Sequence, residues 1–177
     1  MGRIYTGLVA WNLAVLGAAG VLGFLARAGV LEPRVHRLSG LFAAVFACLV
    51  HSLLVVHFVG SMKWIQQTGP TAGLEDTKQL RRRWFQGGMF PVVLFTMLIA
   101  VATGMSGGSA RGGDAWLALH VLLALANVPM NLWALKLGRE SLAGTKRRIR
   151  RVQQLAEMRV EKERFRSTRR ERWFGLA

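Results

Sequence analysis

Apolar residues fall into four long blocks along this chain, with polar residues gathered between them. The second block is the most regular. From Leu41 to Met62 it reads LFAAVFACLVHSLLVVHFVGSM, without Asp, Glu, Lys or Arg. A bilayer core is roughly 30 Å thick and takes about 20 apolar helical residues to cross. The blocks therefore predict four spans, at about 4–26, 39–65, 89–106 and 115–137. The first block is longer than the apolar part of a signal peptide and lacks a clear small-residue cleavage site, so it reads as a span. The expected fold is all-α: a polytopic membrane protein, four transmembrane helices in an up-down bundle over 1–138, then a basic cytoplasmic helical tail over 139–177.

Local signals refine this picture. Gly17, Gly20 and Gly23, with Ala14, Ala18 and Ala19, predict a thin first helix that packs closely on a neighbour. Arg27 to Leu38, with Pro33, reads as a connection in which His36 is solvated. TGPTAG breaks the chain after the second span, and LEDTKQLRRRWF reads as a short interfacial helix. Trp64 and Trp84 stand where aromatic belts stand. Thr96, Ala100 and Thr103 share one face, the pattern of a helix–helix seam. The glycine-rich SGGSARGGD lacks the lysine and the preceding strand of a phosphate loop. In the fourth span His120, Asn127 and Asn131 fall within about 40° of one another and form a polar stripe. Pro129 is expected to kink that helix or free a carbonyl beside the stripe. The four blocks differ in texture, and no periodic repeat is visible.

Composition supports the membrane reading. The 177 residues are 52% hydrophobic yet carry a formal net charge of +15, which fits apolar spans joined by basic segments. Cys48 is the only cysteine, which excludes an intramolecular disulfide and any cysteine-based zinc or iron–sulfur site. No nucleophile–base set, metal motif or nucleotide loop appears, so the reading leans away from an enzyme. Lys63, Lys78, Arg81, Arg82, Arg83 and the tail place both termini and the 63–88 segment in the cytoplasm by the positive-inside rule. Arg27, Arg34 and Arg37 count mildly against that orientation. The implied location is the inner membrane.

Ionisable groups at membrane depth are costly, so His51, His57 and His120 are candidate site residues. Counted back from Lys63 and Lys136 at 1.5 Å per residue, His51 and His120 differ in depth by roughly 6 Å, within the reach of tilt. They are the candidate axial ligands of a b-type haem between helices 2 and 4. Arg27 and Arg37 are then candidate partners for its propionates. The competing reading makes His57, Asn127 and Asn131 polar intramembrane contacts that hold helices together. By depth His57 matches Asn131, and His51 lies close to Asn127.

Three functions follow. The first is a non-catalytic subunit of a larger membrane complex, with an electron-transfer haem. The second is a haem-free scaffold or assembly protein whose tail docks protein partners and anionic lipid headgroups. The third is a small transporter component, disfavoured because no Asp or Glu lies in any span. Nucleic acid is disfavoured as a partner, because only Phe165, Trp173 and Phe174 interleave the tail's charges.

Overall fold

The computed structural model describes residues 2–74, 89–108 and 113–173. Their regular structure is four helices, α1 (Gly2–Arg27), α2 (Pro33–Thr68), α3 (Met89–Gly108) and α4 (Asp114–Trp173). All four are long and apolar enough to cross a membrane. Trp84, Arg111, Phe174 and most of the expected interfacial helix lie outside the described residues.

Two boundaries differ from the expected ones. α2 begins at Pro33 rather than Ser39, directly after Glu32 in extended conformation (φ −65°, ψ 130°). Proline suits a first helical position, where its missing N–H would have no helical partner and its φ is already helical. His36 thus belongs to the first turn of α2 and not to a solvated connection. At the other end, α4 is one helix of 60 residues that continues through Pro129 and through the expected domain edge at 138. It continues because the residues beyond the apolar span still have something to bury: Leu142, Thr145 and Val152 are all buried.

Consecutive helices pack side by side, α1 also lies against α4, and α2 meets α4 across the bundle. Tyr5, Val9, Val50, Leu54, Phe58, Val93 and Ala134 form the centre of the apolar core. Thr96 and Ala100 of α3 are buried, as are Ala43, Ala44 and Ala47 of α2. Gly104 comes so near Ala44 that an added Cβ would stand 3.2 Å from the Ala44 Cβ. On α1, by contrast, Gly17 and Gly20 face open space, and only Gly23 supports a close approach.

The surface is inverted relative to that of a water-soluble bundle. Trp11, Phe24, Phe42, Leu49, Phe95, Leu122 and Trp133 are each more than half exposed, whereas Asn12, His51, Thr96 and Asn131 are fully buried. An apolar exterior of this extent matches hydrocarbon, and polar groups inside it must find partners within the protein.

The packing also reveals a correspondence that residue texture conceals. Val9, Asn12, Ala47, Val50 and Phe58 are buried, and so are Val93, Thr96, Asn131, Ala134 and Leu142, each 84 positions later. The α1–α2 and α3–α4 connections have equal length, 28–32 and 109–113. The bundle is thus two helical hairpins of one build, with α1 parallel to α3 and α2 parallel to α4. The pattern of burial repeats more fully than the residues do, since identities differ at most of these positions.

Candidate functional site

Two polar groupings stand inside the bundle. The deeper one is centred on Asn131 of α4. Its side-chain Nδ2 donates to the Asn127 backbone carbonyl and to Asn127 Oδ1, both at 2.8 Å. A carbonyl can only accept, so this fixes which end of the Asn131 amide is the oxygen. That oxygen receives Nδ2 of Asn12 at 2.7 Å and Nε2 of His51 at 3.0 Å. His51 therefore carries its proton on Nε2 and uses it within the protein. One amide ties α1, α2 and α4 together at the centre of the bundle. Asn12 Oδ1 and His51 Nδ1 are left as buried acceptors without a partner among the described residues.

The second grouping lies at the end of the bundle where the two hairpin connections are. His36 on α2 points Nδ1 at the Ala19 carbonyl of α1, 3.1 Å away. His120 on α4 points Nδ1 at the Thr103 carbonyl of α3, also 3.1 Å away. The two spacings are equal at 17 residues. Each ring lies on a glycine one turn beyond the carbonyl. A Cβ on Gly23 would stand 2.8 Å from His36 Cε1, and one on Gly107 would stand 2.7 Å from His120 Cε1. Ala19, Gly23 and His36 are the counterparts, 84 positions earlier, of Thr103, Gly107 and His120. The two half-sites face each other, with ring centres 5.9 Å apart and planes at 78°.

A hydrogen-bonded route joins the two groupings. Ser106 Oγ donates to the Thr103 carbonyl at 3.0 Å and lies 3.1 Å from His120 Nδ1. Thr103 Oγ1 accepts from Asn127 Nδ2 at 3.3 Å, and Asn127 holds Asn131. Thr103 is thus both a seam residue and a link in this route, a role that its small-residue face did not reveal.

The candidates read from sequence separate accordingly. His51 and His120 are not brought together: His51 is level with Asn131, which is eleven residues beyond His120 on α4, about 16 Å at 1.5 Å per residue. Asn127 and Asn131 hydrogen-bond to each other inside the bundle, and the histidine that meets Asn131 is His51, not His57. His57 is half-buried, lies against the Phe58 ring at 6.0 Å, and has no hydrogen bond among the described residues. The depth count misplaced the register because Lys63 and Lys136 do not mark helix ends: α2 runs on to Thr68 and α4 far beyond Lys136. Arg27 and Arg37 are exposed and stand at the end of the bundle that holds His36. The residue that sequence reasoning missed is His36. Its available signal was the recurrence of a glycine 13 positions before a histidine in each hairpin, at Gly23–His36 and Gly107–His120. No family model, curated protein or solved structure matches this chain.

Proposed function

We propose that this chain is a non-catalytic subunit of a larger inner-membrane complex, with both termini in the cytoplasm, and that it docks its partner through the far end of α4. The observation that carries the reading is the continuity of α4. From Arg139 the helix reaches Arg169, thirty residues further on, about 45 Å at 1.5 Å per residue. Near the bundle this extension is braced. Val152 is buried, and Arg159 Nη1 donates to the Thr71 carbonyl just after α2. From Val160 to Arg169 every residue is exposed, including Val160 and Phe165.

Charge divides the extension in two. Lys136, Arg139 and Lys146 lie nearest the apolar span, where anionic headgroups would attract each by about 1 kcal/mol, and Arg147, Arg148, Arg150 and Arg151 follow at the edge of that reach. That attraction fades within a Debye length, about 8–10 Å. The stretch beyond Arg159 extends further, and its mixture of Arg, Lys and Glu with exposed Val160 and Phe165 suits an acidic protein surface better than a lipid one. Deleting 160–177 tests this. The shortened chain is expected to keep the thermal stability of the full chain in detergent and to lose the partner that co-purifies with the full chain. A shortened chain that still retains the partner contradicts the reading.

A further inference from the structure

The geometry points to a b-type haem at the connection end of the bundle, its iron held by Nε2 of His36 and Nε2 of His120. This site differs from the one that the sequence predicted, because His36 takes the place of His51.

The tautomer of each ring favours a metal on Nε2. Both rings aim Nδ1 at a backbone carbonyl, which has no proton to give. The carbonyls call for the proton on Nδ1 of each ring, Ser106 Oγ beside His120 Nδ1 giving its own proton to the Thr103 carbonyl, and the neutral form of each ring then keeps its lone pair on Nε2. Neither Nε2 has a hydrogen-bond partner among the described residues. A metal-bound histidine is typically held in this way, with the remote N–H anchored to a carbonyl and the free nitrogen on the metal. His51 shows the opposite arrangement, with Nε2 committed to Asn131.

The separation of the rings also suits a shared metal. Two imidazoles that share one metal at about 2.0–2.1 Å have ring centres roughly 6 Å apart. The His36 and His120 centres are 5.9 Å apart. The donor set is small. Among the described residues no three His, Cys, Asp or Glu side chains are placed to share a metal ion. Zinc takes three or four protein ligands. Haem iron has its equatorial positions filled by the porphyrin and asks the protein only for axial ligands. A pair of imidazoles alone matches that demand.

The surroundings fit a flat macrocycle bearing carboxylates. One turn beyond each histidine stands a small residue, Gly40 after His36 and Ala124 after His120, and Gly40 faces open space. Arg27 follows Gly23 by one turn and Arg37 is adjacent to His36, so two exposed guanidinium groups are at hand for propionates.

Purified full chain in detergent, titrated with haemin, is expected to bind one haem with a Soret band and the low-spin spectrum of two axial imidazoles. His36→Ala and His120→Ala should each turn that spectrum into a five-coordinate, high-spin one or abolish it, while His51→Ala and His57→Ala retain it. Because an alanine could disturb folding, His36→Gly is paired with added imidazole, which should restore the low-spin spectrum. Gly40→Leu, which leaves both histidines and their anchors intact, should weaken haem uptake at least tenfold. The inference is overturned by failure to bind haemin, by a low-spin spectrum that survives His36→Ala, by its loss in His51→Ala alone, or by stoichiometric uptake of a bare copper or zinc ion in place of haem.

Discussion

The two polar groupings use the same residue type to opposite ends. At the centre of the bundle, His51 donates from Nε2 to Asn131 and is consumed as a fastener among three helices. At the connection end, His36 and His120 donate from Nδ1 to carbonyls and keep Nε2 available. Position within the bundle does not by itself separate a histidine used as a fastener from one free to take a ligand. What separates them is the acceptor that each ring nitrogen meets. A side-chain amide oxygen facing Nε2 uses up the ligating nitrogen, whereas a backbone carbonyl facing Nδ1 orients the ring and leaves that nitrogen free.

This contrast can be broken at either end. The largest effect on stability is expected from Asn131→Leu, which strands His51 Nε2–H and Asn12 Nδ2 inside the bundle. Unpaired buried donors cost about 1–3 kcal/mol each, so for two of them unfolding in a denaturing detergent series should show a loss of about 2–6 kcal/mol. A loss below about 0.6 kcal/mol, the average for single hydrogen bonds between membrane helices, would mean that the network holds nothing together. Next comes Gly138→Ala. The added methyl would stand 2.6 Å from Tyr5 Cε1, and the buried tyrosine would have to abandon the Ala134 carbonyl that its hydroxyl reaches at 3.3 Å. Overpacking of this kind costs about 1–3 kcal/mol, readable as a lower melting temperature, and an unchanged melting temperature would show that Tyr5 is not fixed there.

Smaller effects sharpen the comparison. Gly23→Ala and Gly107→Ala should push the His36 and His120 rings off their anchors, with haem uptake falling at least tenfold while the melting temperature moves less than in Asn131→Leu. The reverse order would assign the connection end to structure. His57→Leu should fall within about 0.5 kcal/mol of the parent, as for substitutions that break no contact network. A larger loss would reveal a partner for His57.

Much of the fold was legible, because the four apolar blocks state their own lengths. The connection before α2 was not, because Pro33, Arg34 and Arg37 resemble a loop while serving as a helix start exposed on one side. The continuity of α4 was half legible. Ile149, Val152, Leu155 and Met158 are apolar residues spaced along one stretch of the tail, yet only packing shows that Val152 is buried and Met158 is not. Of the site, Asn127 and Asn131 could be read from helical spacing within α4. The pairing of His36 with His120 left one faint trace, the repeated spacing of Gly23–His36 and Gly107–His120, but which histidines meet depends on how the two hairpins pack.

The tautomers themselves are the most direct test. Nitrogen-15 NMR of the chain labelled at histidine, with each ring assigned through its glutamine variant, reports which nitrogen carries the proton. His36 and His120 are expected in the Nδ1–H form and His51 in the Nε2–H form. Finding all three in one form, or His36 and His120 protonated on Nε2, would contradict the division between fastener and ligand.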